Sequence, residues 1–341
     1  MNNFQIGPFT IGGNHTFVIA EVGANHTGNL ELAKEHIDAA SESGADAVKF
    51  QSINLSKLYK NPSESTKALH AVIDMEEEWC AELKEYSEKR NVLFFSSPTY
   101  VEAVELLERL DVSLFKLASA QVGTFPQLIS KVAQTGKPTF MSSGIANYGQ
   151  LSDAVNEFEK AGNANYAILH CNSMYPTPAE KVYLGRMETY RKMFHCPVGF
   201  SDHTEGTAVV LAAVAMGASI IEKHFLLNTN ISSPDAPFSI EPDEFKTMVN
   251  NIRTIELARV DATRLELEPA EQNFKDAIRT RLVLRCDKNE GETFKEDDFD
   301  FLRSDEGIDV SEMSLVIKNM AAASLLEEGK ILDWSCLKGK V

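Results

Sequence analysis

The sequence lacks the features that mark secreted, membrane-spanning or disulfide-stabilised proteins. No apolar run approaches the ~18 residues that a membrane-spanning helix needs. The first residues contain neither the basic segment nor the apolar segment of a secretory signal. Only five cysteines occur in 341 residues and none forms a Cys-x-x-Cys pair. Reduced thiols in a cytoplasmic protein without a membrane partner are therefore expected.

Positive charge is also scarce, with 33 Lys and Arg against 50 Asp and Glu and a formal net charge of −17. Such an acidic chain is poorly suited to binding a nucleic acid or an anionic membrane surface. If its substrate is itself an anion, the protein must collect a few cations at one place against its overall field.

Eight short apolar runs alternate with amphipathic stretches of helical length, and the hydrophobic content of 43% is enough for an ordinary core. Apolar strands that alternate with helices are typical of a parallel sheet covered on both faces. Eight such units in about 240 residues predict a (β/α)8 barrel, with a doubly wound open sheet as the alternative. The runs are residues 16–23, 47–51, 92–98, 114–119, 138–143, 166–173, 198–204 and 220–227.

The alternating pattern ends near residue 258, which predicts a catalytic barrel over residues 1–260. Residues 261–280 are polar and are interpreted as a linker. Short apolar runs separated by glycine turns then predict a small β-rich domain over residues 281–341.

Two lysines and several hydroxyl groups lie near the predicted strand ends, where (β/α)8 barrels carry their functional side chains. Lys49 and Lys116 lie within the second and fourth runs. Lysine supplies charge and serine supplies short donors, which suits a small phosphorylated or carboxylated anion. The alternative is a pair of lysines that extend to solvent, but a lysine within a buried strand is costly without a counter-charge.

His203 and His224 end the seventh and eighth runs, which are adjacent in a closed barrel. Both imidazoles could therefore hold one divalent ion and leave positions open for substrate, unless each is a hydrogen-bonded core group. Glu21, in the first run, is either a structural partner of Lys49 or an acid–base group. Asp235 follows the last run and could accept sugar hydroxyls or belong to a surface turn.

Six motifs, taken together and in this order, resemble those of the sialic acid (nonulosonic acid) synthases. That family includes the N-acetylneuraminate, pseudaminic acid and legionaminic acid synthases and the spore-coat polysaccharide homologues. The motifs are IAEVGANHTG (19–28), AVKFQ (47–51), KLAS (116–119), YPTP (175–178), GFSDH (199–203) and IEKHF (221–225).

The resemblance implies a (β/α)8 barrel followed by an antifreeze-like (SAF) domain, in a domain-swapped homodimer. It implies the condensation of phosphoenolpyruvate with an N-acetylated amino-sugar aldehyde, with Mn2+ or Mg2+ required and phosphate released by C–O cleavage. The acceptor is left open between N-acetylmannosamine and 2,4-diacetamido-6-deoxy sugars. A metal-dependent barrel hydrolase and a non-catalytic sugar-binding homologue are the alternative functions.

The resemblance also assigns roles to individual residues. His203 and His224 would hold the metal, and Glu21 would act in catalysis. Arg303 would reach the acyl group of the sugar across the dimer, or else would form a surface ion pair with Asp298 or Asp305. The residues expected to bind phosphoenolpyruvate are Lys49, Ser97, Lys116, Ser119, Ser142 and Ser173. The residues expected to face the sugar are Glu21, Gln51, Tyr175 and Asp235.

Overall fold

The computed structural model describes residues 3–259 and 266–340, which belong to two compact units, Met1–Val260 and Asp261–Val341. Eight parallel strands in the first unit are hydrogen-bonded in the order β5-β4-β3-β10-β9-β8-β7-β6. Since β5 and β6 also lie side by side, the sheet is a nearly closed barrel, as predicted. The strands are β3 (Phe17–Glu21), β4 (Ala47–Ser52), β5 (Leu93–Pro98), β6 (Phe115–Leu117), β7 (Thr139–Ser142), β8 (Tyr166–Cys171), β9 (Val198–Asp202) and β10 (Ile220–His224), after a hairpin of β1 (Phe4–Ile6) and β2 (Phe9–Ile11).

Helices surround the barrel strands, and several begin with the residues that favour a helix start. Asn29 caps α1 by accepting hydrogen bonds from two backbone N–H groups. Pro242 opens α10, with Asp243 and Glu244 in the first turn. The helices of this unit are α1 (Leu30–Glu42), α2 (Leu55–Leu58), α3 (Glu64–Ile73), α4 (Trp79–Lys89), α5 (Val101–Arg109), α6 (Pro126–Gln134), α7 (Tyr148–Lys160), α8 (Arg186–Phe194), α9 (Ala208–Ala215) and α10 (Pro242–Ala258).

Strand alternation separates two cores. Phe17 and Ile19 on β3 belong to a cluster inside the barrel, whereas Val18 and Ala20 belong to the cluster beneath the helices. The β1–β2 hairpin contributes three more side chains to the inner cluster. The barrel interior is therefore filled by side chains, as is usual for this architecture.

The second unit is small and built on two antiparallel strand pairs. Strand β11 (Thr280–Leu284) pairs with β12 (Phe299–Arg303), and β13 (Met320–Ala322) pairs with β14 (Leu337–Gly339). Helix α12 (Met313–Asn319) packs Val316 against their core. Within the expected linker, Pro269–Ala277 forms helix α11, while residues 261–265 lie outside the described residues. No helix in the described ranges has both the length and the apolar character needed to cross a bilayer.

Candidate active site

The inward-facing side chains change from apolar to polar at the carboxyl ends of the strands. On β3 the inner residue Ile19 is followed by Glu21, and on β10 Ile220 is followed by Glu222 and His224. The same alternation places Lys49 on β4 and Lys116 on β6 above the apolar interior. These polar side chains line a cavity of about 520 Å³, within the range of small-molecule sites.

Both lysines are buried and paired with buried carboxylates. Lys49 Nζ lies 2.8 Å from Glu21 Oε2 and 3.8 Å from Glu222 Oε1. Lys116 Nζ lies 3.1 Å from Glu222 Oε1. Each lysine is only 2% exposed, so the alternative of lysines extending to solvent is wrong. The four formal charges cancel, and the expected local cation cluster is therefore an electrically balanced group that offers a ligand two ammonium groups.

Burial and charge pairing shift these groups in different directions. Burial opposes the charge on Lys49, but Glu21 and Glu222 outweigh burial and raise its pKa. Burial lowers the pKa of Lys116, which has one close carboxylate rather than two. Burial would raise the pKa of Glu222, yet its two ammonium neighbours hold that pKa below the usual range. Glu222 is thus the shared counter-ion of both lysines.

The two strand-end imidazoles face each other, with ring centroids 5.3 Å apart. His203 Nδ1 lies 2.7 Å from the backbone oxygen of Asn172, so Nδ1–H donates and Nε2 remains free. His224 Nδ1 is buried without a hydrogen bond and lies 3.4 Å from Asp235 Oδ2. Burial, reinforced by His224, lowers the pKa of His203 to about 3. A neutral His203 with an unused Nε2 and a His224 whose Nδ1 has no hydrogen-bond partner therefore border the cavity.

This donor set fits a divalent metal ion. Neutral imidazole nitrogens and a carboxylate oxygen are common ligands of such ions, and an unpaired buried nitrogen favours a ligand at that place. Asp235 comes close because its loop meets Gly23, where a Cβ atom would stand 2.3 Å from Asp235 Oδ2. No cluster of three or more His, Cys, Asp or Glu with metal-binding geometry occurs within residues 3–259 or 266–340. Two histidines would leave positions open for water and substrate.

The expected serine ligands are distributed over two layers. Ser119 and Ser142 line the cavity, and Ser142 Oγ is buried without a hydrogen-bond partner. Ser173 lies behind them and donates a 3.0 Å hydrogen bond to Ser119 Oγ. Ser97 Oγ accepts a 3.3 Å hydrogen bond from Lys49 Nζ.

The expected sugar-facing residues also meet at this cavity. Gln51 Nε2 donates a 2.7 Å hydrogen bond to Glu21 Oε1. Asp235 Oδ2 accepts a hydrogen bond of 2.9 Å from the backbone N–H of Ala24. Tyr175 is half-exposed, and the centroid of its ring lies 4.4 Å from the centroid of the His203 ring. Carboxylate, amide and phenol groups thus surround the mouth of the cavity.

Comparison with known proteins identifies the family. A sequence model of the NeuB family matches residues 36–264. The chain belongs to the NeuB family. The N,N'-diacetyllegionaminic acid synthase of Campylobacter jejuni is 36% identical over 333 residues, which cover 93% of this chain and 99% of that protein. The human N-acetylneuraminate-9-phosphate synthase is 33% identical over 295 residues, covering 82% of this chain and 81% of that protein.

A solved structure agrees with this assignment. The N-acetylneuraminic acid synthetase of Leptospira borgpetersenii is 32% identical and superimposes with a TM-score of 0.75, covering 81% of this chain and 97% of that chain. The family resemblance predicted from the motifs is confirmed, as is the enzyme class, a phosphoenolpyruvate-dependent transferase that forms a carbon–carbon bond.

Three further residues of this NeuB-family site were not predicted from the sequence. Glu222 precedes His224 by two positions on β10, so strand alternation places both inside the barrel. Ser201 stands in the same relation to His203 and donates a 2.9 Å hydrogen bond to Glu222 Oε1. Gln121 lines the cavity, and its Oε1 atom is buried without a hydrogen-bond partner.

Arg303 lies in the second unit, is exposed, and forms no ion pair with any described residue. Asp298 pairs with Lys288 instead, at 2.7 Å, and Asp305 is not within ion-pair distance of Arg303, so the alternative of a surface ion pair with Asp298 or Asp305 is wrong. Asp202 points away from His203 and forms a fully buried 2.7 Å ion pair with Lys223 on the neighbouring strand.

Proposed function

We propose that this protein is a nonulosonic acid synthase that condenses phosphoenolpyruvate with an N-acetylated amino-sugar aldehyde and releases phosphate. The observation that carries the proposal is the meeting of two buried lysines and two buried histidines at one cavity. The names of the relatives support the choice of product class.

Phosphoenolpyruvate would be bound by Lys49 and Lys116, with the hydroxyl groups of Ser119 and Ser142 as short donors. Ser97 and Ser173 would act indirectly, since one contacts Lys49 and the other contacts Ser119. Because two carboxylates already balance the lysines, binding depends on hydrogen-bond geometry as much as on net charge.

His203 and His224 would hold a Mn2+ or Mg2+ ion, which supplies Lewis-acid polarisation of the sugar aldehyde. His203 is oriented for this role by its Nδ1 hydrogen bond to Asn172. Asp235, Gln51 and Tyr175 would hold the sugar around the aldehyde.

The proposed condensation proceeds by formation of a carbon–carbon bond, addition of water and loss of phosphate. C3 of phosphoenolpyruvate forms a bond to the aldehyde carbon, and the aldehyde oxygen takes a proton. Water adds to C2 and gives up one proton, which replaces the one consumed. The tetrahedral carbon then expels phosphate by C–O cleavage, and the proton of the remaining hydroxyl group passes to the departing phosphate as the ketone forms. Glu21 would transfer a proton during these steps, and its hydrogen bond to Gln51 and ion pair with Lys49 support that role.

The same proposal includes a domain-swapped homodimer, in which the small unit of one subunit covers the active site of the other. Exposed apolar side chains in that unit support it, since Phe301 and Leu302 are 45% and 55% exposed beside Arg303. In that arrangement Arg303 would contact the acyl group of the sugar. Covering the site would keep bulk water from the reacting centre.

Phosphate release tests the proposal directly. The protein is mixed with phosphoenolpyruvate, Mn2+ and either N-acetylmannosamine or a 2,4-diacetamido-6-deoxy hexose. We expect phosphate to appear only with an acceptor, and His203→Ala and Lys116→Ala to abolish it. The exposed His195 and the partly exposed Lys131 provide matched controls, as His195→Asn and Lys131→Ala. Full activity in His203→Ala, or unchanged phosphoenolpyruvate affinity in Lys116→Ala, would contradict these assignments.

A further inference from the structure

The segment between β4 and α4 forms one wall of the cavity. It carries the short helices α2 and α3, and its lining residues are mostly apolar. Leu58, Tyr59 and Leu69 are 39%, 48% and 44% exposed, and all three line the same cavity, so together they give it an apolar surface. The lining residues of this segment are Ile53, Leu58, Tyr59, Leu69, His70 and Ile73.

His70 and the hydroxyl group of Tyr59 are the polar groups among these lining residues, and the imidazole of His70 is held by hydrogen bonding and ring packing. Its side chain is 5% exposed, and its Nδ1 lies 2.5 Å from Asp74 Oδ1. The other oxygen of Asp74 accepts a 2.8 Å hydrogen bond from the backbone N–H of Leu55. Tyr59 packs edge-on against the imidazole at 5.4 Å. No described residue hydrogen-bonds to His70 Nε2, so this nitrogen remains for a ligand in the cavity.

The barrel order sets the position of this wall relative to the reacting centre. His224 on β10 is next to Glu21 on β3, and Glu21 is next to Lys49 on β4. Gln51, at the end of β4, bonds to Glu21, and the segment begins two residues later. An acceptor with its aldehyde at the histidine pair, lying across Glu21 and Gln51, would place its far carbons on this wall.

We propose that residues 53–73 form the subsite for the far end of the acceptor and select an amino sugar with a terminal methyl group and a second acylamino group. The apolar side chains would cover the methyl groups, and His70 Nε2 would hydrogen-bond to the amide. This inference rests on the proposed function. It assigns the acceptor to the 2,4-diacetamido-6-deoxy class, because the C6 hydroxyl of N-acetylmannosamine would meet apolar groups that leave it without a partner.

Initial rates with the two acceptors test the subsite. Apolar walls discriminate against an added hydroxyl group by about 10- to 100-fold, so wild-type kcat/KM should favour the diacetamido acceptor by at least about tenfold. His70→Ala should lower kcat/KM for that acceptor about tenfold or more and leave N-acetylmannosamine within about threefold. His70→Gln, which keeps a hydrogen-bonding group, should restore part of the loss. Ile73→Thr, which adds a hydroxyl group to the apolar wall, should reduce the ratio of kcat/KM for the diacetamido acceptor to kcat/KM for N-acetylmannosamine.

The controls separate a failed subsite from a failed function. Ser65→Ala, an exposed change on the same helix, should leave both acceptors unaffected, and the KM for phosphoenolpyruvate should stay constant in all variants. A wild-type preference for N-acetylmannosamine, or equal losses for both acceptors in His70→Ala and His70→Gln, would overturn the subsite while phosphate release upholds the function. Absence of phosphate release with either acceptor would overturn the proposed function and this inference with it.

Discussion

Replacing Glu222 by glutamine should destabilise the barrel and yet tighten its binding of phosphate. Glu222 is 3% exposed and contacts Lys116, Ser201 and, at 3.8 Å, Lys49. Glutamine keeps the shape and the carbonyl acceptor but removes the charge. Two buried ammonium groups would then share one carboxylate, that of Glu21.

The expected loss of stability follows from the broken pairing. Removing one partner of a buried ion pair costs about 3–5 kcal/mol, because the remaining charge stays buried. For a unit of this size that corresponds to a decrease in Tm of about 6–20 °C. The melt is recorded without phosphate, so that ligand binding does not mask the loss.

The expected gain in phosphate affinity follows from the distances. A phosphate oxygen in contact with Lys116 Nζ would lie about 6 Å from the carboxylate of Glu222, which is 3.1 Å from that nitrogen on the other side. Repulsion over 6 Å is about 0.7 kcal/mol at the dielectric constant of water and about 2.8 kcal/mol at a dielectric constant of 20. The Kd of phosphate should therefore fall by a factor of about 3 to 100.

Titration calorimetry with inorganic phosphate in a chelating buffer measures this effect. Glu105→Gln, which removes an exposed carboxylate paired with Lys131, is the matched control and should change neither Tm nor Kd by much. Weaker phosphate binding in Glu222→Gln, or an unchanged Tm, would refute the reasoning that Glu222 is the shared counter-ion.

Three further predictions concern the scaffold. Lys223→Met should lower the free energy of unfolding, measured in urea melts, by about 3–5 kcal/mol because the buried carboxylate of Asp202 loses its counter-ion. The double variant that also carries Asp202→Leu should recover much of that loss. Burial lowers the pKa of the fully buried His36 from 6.5 to about 4. Between pH 6.5 and pH 4 the imidazole is therefore protonated in the unfolded chain but not in the folded one, so the free energy of unfolding falls as the pH drops through this range. His36→Leu should make the free energy of unfolding less dependent on pH there. Gly199→Ala should lower the free energy of unfolding by about 1–3 kcal/mol, measured in urea melts, because its Cβ would lie 2.5 Å from the Ile220 backbone oxygen; an unchanged melt would contradict this packing.

The barrel was predictable because its strands are buried on both faces and their sequences are therefore continuous apolar runs. All eight expected runs contain a strand, with ends that differ by a few residues. The β1–β2 hairpin was missed, although its two three-residue strands flank Gly7-Pro8, a recognisable turn. Helices α2 and α3 were not predicted; they lie with α4 in the long connection between β4 and β5, where the repeating unit of the barrel needs only one helix.

The site was predictable to the extent that strand ends converge. That rule located both lysines and both histidines, whose strands bring them to one cavity. The pairing of Glu21 with Lys49 was one of two predicted alternatives, but the role of Glu222 was not predicted, because Lys116 and Glu222 are 106 positions apart and meet only when the barrel closes. The cavity wall around His70 was not predicted either, because it depends on helix α3, which was not predicted, and on the contact of His70 with Asp74 at the end of that helix.

The bond broken in phosphoenolpyruvate tests the central claim most directly. The substrate is prepared with a heavy-oxygen label in the bridge between C2 and phosphorus, and the products with acceptor and Mn2+ are examined by phosphorus NMR and mass spectrometry. The proposed condensation predicts that the label appears in inorganic phosphate and that phosphate forms only when an amino-sugar acceptor is present. Label retained in the sugar product, or phosphate released without an acceptor, would contradict it.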